Sequence, residues 1–301
     1  MNWLRQLRPC LVSYQRWEHL LIRLLCAWVI YDAIPWSLKP GWAAMPNPNG
    51  IATVIPFGWL AHPGVMDWIR PVVIGGLACW AVGFVPLLAL FPALFTILGA
   101  GAVWASQREG AAQHSVQLIA MLVLAQWLFL LWDTFRHKRL RLRFDQWSED
   151  RFVHVSKWVI AVTYVACAFM KLKRNGIFWF QKGPAMAVQT IKTNLQGYYS
   201  ESDIELNQWL LDTAPKYFTD HPVLSGLFFG VGLLLELFAF LTLVGRRWAL
   251  AVGGGLLVMH LMIFWLTTIK FTSHIHAVSV FFVLPGLWWW GREAKKTPAS
   301  L

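Results

Sequence analysis

Charge is scarce in this sequence. Only 14% of its 301 residues are Asp, Glu, Lys or Arg, against roughly 25% in an ordinary soluble domain, and the deficit argues against a water-solvated globule. Cysteine is scarce as well, limited to Cys10, Cys26, Cys79 and Cys167. No two of them form a Cys-x-x-Cys pair and three fall in apolar runs, which argues against a disulfide scaffold, a thiol-redox motif or a cysteine-ligated metal centre. Buried structural thiols are the ordinary reading. The sequence also lacks internal repeats and low-complexity stretches, so residues 1–301 read as a single domain. Acidic residues are fewer than basic ones, 15 Asp and Glu against 26 Lys and Arg. In so apolar a chain that excess points to cytoplasmic loops of a membrane protein, and no nucleic-acid partner is expected.

What the chain does contain is apolar surface. Hydrophobic residues make up 57% of it, with 20 Trp and 20 Phe, an aromatic load suited to lipid and its interfaces. Apolar stretches of about 20 residues, each long enough to cross a bilayer, run at 18–36, 67–88, 89–106, 114–133, 154–174, 222–244, 247–269 and 274–291. The second and third are parted only by Gly83-Phe84-Val85-Pro86 and read as a hairpin. The basic start, MNWLRQLRPCLVSYQRWEHLL, has no small-residue cleavage site after the apolar run that follows it, so the first span is expected to be uncleaved.

Arg5, Arg8 and Arg16, the cluster from Arg136 to Arg151, Arg246 with Arg247, and Arg292 with Lys295 and Lys296 alternate with loops poor in net positive charge. That alternation places both termini in the cytoplasm. Residues 173–221 are too polar to span. Within them GPAMAVQTIKTNLQGYY and SDIELNQWLLDTAP show helical spacing and read as amphipathic helices lying on the outer surface. The expected fold is therefore an all-α integral membrane bundle of about eight transmembrane helices, with amphipathic surface helices between the fifth and sixth. The expected location is a cell membrane such as the bacterial inner membrane.

An ionisable side chain inside hydrocarbon costs at least ~2.5 kcal/mol, so each one needs a reason. Asp32, His114, Lys171, Glu236 and His260 stand out. Counting residues along each span puts Asp32, His114, Lys171 and His260 in the outer half and Glu236 nearer the middle. Four helices converging at one depth is the pattern of a polar pocket opening outward. Bland readings stand beside it: Lys171 snorkelling with Lys173 and Arg174, His114 and Asp32 as helix caps, and His260 as a satisfied core histidine. Glu236 needs a partner or a proton. Arg23, one turn into the first span, is within reach of anionic headgroups. His274 and His276 suggest a two-ligand metal pair that no Asp or Cys completes, so no metal is expected.

The run Tyr164-Val-Ala-Cys-Ala-Phe-Met-Lys171-Leu172, followed by Trp179-Phe-Gln-Lys182-Gly183-Pro-Ala-Met186, resembles the Tyr-x-x-Ala-Gly-x-x-Lys-Leu…Trp…Gly pattern of the horizontally transferred transmembrane domain family. That family includes the membrane part of vitamin K-dependent gamma-carboxylase. Asp32 with Pro35, the stretch Ile55–Trp68, Gln113-His114-Ser115, Glu236 and Met259-His260 follow the family pattern in order along most of the chain. The resemblance implies Lys171 as the base that starts oxygenation of a reduced quinone, with His114 and His260 assisting. It also implies Asp32, Trp179 and Glu236 around the bound, vitamin K-like cofactor. Phe169 stands where the family has Gly, and about four extra residues separate Lys171 from its Trp.

Three functions remain open at this point. One is a membrane enzyme performing quinol-linked oxygenation or proton abstraction, with a possible protein substrate. Another is a non-catalytic membrane protein or assembly subunit that binds lipid or quinone. The third is a proton-coupled transporter using Glu236 and Lys171.

Overall fold

A computed structural model describes residues 14–48, 50–107, 114–200, 207–267, 269 and 271–288. The basic start with Cys10, Gln113, residues 201–206 of the second amphipathic segment and the basic tail lie outside the described residues, as does the side chain of His114. Regular structure among the described residues is helical throughout. The one extended pairing there is an isolated bridge between Phe84 and Arg143. The described chain packs as two compact units that divide after Ile160.

The first unit holds α1 (Arg16–Ala33), α2 (Val65–Ala81), α3 (Pro86–Ser106), α4 (His114–His137) and the first half of α5 (Gln146–Asn175). Short 3-10 turns at Pro40–Ala44, Gly50–Thr53 and Phe57–Ala61 fill the connection from α1 to α2. The α2–α3 hairpin turns at Gly83, whose φ of 81° suits a residue without a side chain. The two helices approach so closely that a Cβ on Gly76 would sit 2.6 Å from the Ala89 carbonyl oxygen. Asp145 caps α5, its Oδ1 accepting the Ser148 amide at 2.8 Å. Partial burial works against the Asp145 charge, but the Ser148 amide and hydroxyl and the Arg141 guanidinium outweigh it and hold the carboxyl below its usual range.

Arg23 does not reach for headgroups. It is 7% exposed, its Nε donates to the Ala81 carbonyl at 2.8 Å, and its Nη1 pairs with Glu149. The sequence reading missed this because the carboxylate arrives from α5, more than a hundred residues away. Neighbouring polar groups are paired as well: His19 with Asp150 at 2.9 Å, and Arg141 with Asp133 at 2.6 Å.

The second unit comprises the rest of α5, a 3-10 turn at Ile177–Lys182, α6 (Ala185–Ser200), α7 (Trp209–Asp220), α8 (Pro222–Leu237), a 3-10 turn at Ala239–Leu243, α9 (Arg246–Thr267) and α10 (Thr272–Trp288). Between α7 and α8 the axis bends by 94°, where Pro222 removes a backbone donor. Helix α7 coincides with the second expected amphipathic segment, 202–215, over residues 209–215, runs on to Asp220 and leads directly into α8. Met186 and Ala187 of α6 pack with Ala214, Phe218 and Leu266 in one buried cluster. The expected span 222–244 is α-helical only to Leu237 and tightens afterwards.

Among the described residues, four helices are long and apolar enough to cross a membrane: Pro86–Ser106, Val116–His137, Gln146–Asn175 and Arg246–Thr267. A fifth joins them if α7 and α8 count as one broken span. Helices α1, α2 and α10 coincide with three further apolar stretches but are shorter or less apolar. The structural-thiol expectation holds for Cys26, which is buried, and fails for Cys79 and Cys167, which are exposed on apolar helices.

Gly183 is packed backbone against backbone. A Cβ there would lie 2.6 Å from the Ser225 carbonyl carbon and 2.8 Å from the Gly226 nitrogen. Gly183→Ala is therefore expected to cost about 1–3 kcal/mol through overpacking, read as a lower unfolding midpoint in detergent. Gly254→Ala, with nothing within 4 Å of the new methyl, should be neutral or slightly stabilising.

Candidate functional site

The second unit carries one concentrated polar constellation, and α5 sets it up. Tyr164, Ala168 and Lys171 recur at helical spacing and so share a face of α5. Lys171 Nζ donates to both carboxylate oxygens of Glu236, at 2.6 Å each, and lies 5.0 Å from the centre of the Trp179 ring. The Lys171 side chain is one-third exposed and that of Glu236 is 7% exposed. Glu236 therefore has the partner a buried carboxylate needs, and Lys171 is turned inward, away from the snorkelling position. Counting residues along spans put Glu236 deeper than Lys171, yet their charged ends meet. Residue counts follow the backbone of a straight helix, and a long side chain closes the difference.

Beside the pair lies a cavity of about 210 Å³. Lys171, Trp179, Glu236, Gln189 and Thr267 supply its polar groups. Met186, Phe228, Phe229, Met259, Ile263 and Phe271 supply most of the remaining wall. Helix α6, expected to lie on the surface, thus contributes Met186 and Gln189 to the wall.

His260 is buried behind this wall. Its Nε2 is 2.6 Å from the Tyr164 hydroxyl, and its ring lies 5.1 Å from that of Phe271 and 5.6 Å from that of His274. His260 Nδ1 has no hydrogen-bond partner among the described residues. Tyr164 carries no role in the sequence pattern; its seven-residue spacing from Lys171 is the signal that places both on one helix face. The cavity-lining Phe and Met residues left no signal, since an apolar residue facing a cavity and one facing lipid look alike in sequence.

Lys171, Glu236 and Trp179 come together at the cavity, with His260 one side chain behind it. Of His114, only the backbone at the start of α4 is described. Asp32 lies exposed at the end of α1, in the first unit. His274 packs against the Tyr164 ring, with centres 6.2 Å apart, and among the described residues no group of three His, Cys, Asp or Glu side chains could hold a metal ion.

No family model, curated protein or solved structure matches the chain.

Proposed function

We propose that the chain is a membrane enzyme, related to the horizontally transferred transmembrane domain family, which abstracts a proton from a reduced quinone at the Lys171–Glu236 pair. The observation that carries this reading is a lysine–carboxylate pair at the edge of an otherwise largely apolar cavity. Such a cavity suits a flat apolar ring with an oxygen at one edge: Phe228, Phe229 and Phe271 would flank the ring, and Lys171, Glu236 and Gln189 would face its oxygen. When bound, the quinol supplies a phenolic proton and the reducing equivalents for oxygen.

The chain's own part is to receive the proton and exclude water. Lys171 and Glu236 are coupled, so the pair as a whole gains one proton, whichever atom carries it. In this reading Lys171 Nζ is the base that contacts the donor, and Glu236 orients it. The ring of Trp179 covers the ammonium form and favours it electrostatically. His260 and Tyr164 position the wall through Phe271. By the resemblance His114 assists and Asp32 belongs to the cofactor's surroundings, while any protein substrate is unidentified. The test is oxygen consumption by the purified chain in nanodiscs supplied with a reduced naphthoquinone. Uptake above that of empty discs is expected, and none would remove the enzymatic reading.

A non-catalytic, lipid-binding role is favoured by a separate observation. A groove of about 620 Å³ lies in the bend between α7 and α8, lined by Trp209, Tyr217, Phe218 and Trp265 among others. It adjoins the cavity through Phe228, which lines both.

The same reading includes an arrangement of eight spans with both termini in the cytoplasm, supported by the charge alternation and by helices at all eight apolar stretches. Arg139 and Tyr199 are exposed and can carry labelling sites. In a background lacking the native cysteines, Arg139→Cys and Tyr199→Cys should react with impermeant reagents from opposite sides of intact cells. Reaction from one side would contradict the eight-span arrangement.

A further inference from the structure

The first unit contains a second polar feature, independent of the chemistry at Lys171. Where α4 ends and α5 begins, the rings of Phe129, Trp132 and Trp147 form an aromatic wall, with Phe129 6.0 Å from Trp132 and 6.4 Å from Trp147. Two guanidiniums stack on it. Arg136 lies 5.2 Å from the Trp132 ring centre and 5.7 Å from that of Trp147, and Arg151 lies 4.7 Å from that of Trp147.

The local carboxylates are engaged elsewhere. Asp133 is held by Arg141 and His137, Asp145 by Arg141, Glu149 by Arg23 and Asp150 by His19. Among the described residues, Arg136 and Arg151 have no carboxylate partner, and Arg151 Nε is buried without a hydrogen-bond acceptor. Exposed Lys138, Arg139 and Arg143 add further positive charge nearby. A buried guanidinium donor is costly to leave unsatisfied, and the fork of an arginine matches the oxygens of a phosphate. Trp132 and Trp147 are themselves partly exposed, at 47% and 37%, as side chains at a membrane–water boundary are.

We infer that Arg136, Arg151 and Trp147 form a binding site for the phosphate headgroup of an anionic phospholipid, seated at the junction of α4 and α5. The phosphate oxygens accept from the two guanidiniums. The Trp132 and Trp147 rings lie at the level of the glycerol and upper acyl chains. Basic sites at the ends of membrane helices recognise such headgroups in this way.

The test uses the full chain in nanodiscs of phosphatidylcholine containing a small fraction of phosphatidylglycerol, with retained lipid counted by native mass spectrometry. Wild type should retain phosphatidylglycerol about tenfold above its bulk ratio. Arg136→Gln/Arg151→Gln should bring retention down to the bulk ratio, while the charge-matched Arg139→Gln/Arg143→Gln should leave it near wild type. Arg136→Lys/Arg151→Lys, which keeps the charge but loses the fork, should fall between. This variant keeps the test valid if the glutamine pair unfolds, which thermal unfolding in phosphatidylcholine alone would show. Equal loss in the two glutamine pairs would mean diffuse charge attraction and overturn the site, as would absence of enrichment in wild type. Inorganic phosphate that displaces the lipid, or that alone raises the unfolding midpoint as much, would make this a phosphate-ion site and overturn the lipid assignment.

Discussion

Lys171→Arg is expected to abolish quinol-dependent oxygen uptake while leaving insertion and folding intact. Arginine keeps the cation, and can keep the pair with Glu236 seen at 2.6 Å, but it stays charged and so cannot accept a proton. A positioned general base contributes roughly 10²–10⁴-fold to a rate, so uptake should fall by about that factor in the arginine variant and equally in Lys171→Ala. A lysine that only snorkelled would tolerate arginine. Glu236→Gln separates the two members of the pair. It should also lose activity, because the amide orients the amine without balancing its charge. Uptake that survives in Lys171→Arg but not in Glu236→Gln would transfer the role of acceptor to the carboxylate. Uptake surviving in both would remove the pair from the chemistry altogether.

The same pair should dominate the stability of the second unit. Removing one partner of a buried ion pair leaves a charge without compensation and costs roughly 3–5 kcal/mol. Lys171 is one-third exposed, so Lys171→Met should sit near the low end, at about 3 kcal/mol. The double variant Lys171→Met/Glu236→Gln removes both charges and should recover to within about 1 kcal/mol of wild type. Unfolding midpoints of the two single variants and the double variant in one detergent complete the cycle. Additive losses would show that the residues do not act as a pair.

Where the helices lie was legible from hydropathy alone, because lipid demands unbroken apolar runs and helical hydrogen bonding. The break at Gly83–Pro86 was readable from its residues. The stop at Leu237 was not, since nothing in the run Ala239–Leu243 differs in hydropathy from the helix before it. At the site, Lys171 and Glu236 were each conspicuous as charges in apolar surroundings, but their contact was not, as it joins residues 65 positions apart. Arg23 shows the same limit from the other side: a plausible local reading of a lone arginine gave way to a distant carboxylate. Tyr164 and Phe271 acquire meaning only once His260 lies between them, an arrangement of tertiary packing that no single-helix pattern records.

The most direct test of the proposed quinol site is mass-spectrometric identification of the small molecules retained by the protein purified from its native membrane, compared between wild type and Trp179→Ala. A quinone should be retained by wild type and depleted in the variant, because Trp179 closes the cavity beside Lys171. Retention of phospholipid alone in wild type, or quinone retained equally by both proteins, would contradict a quinol site at the Lys171–Glu236 pair.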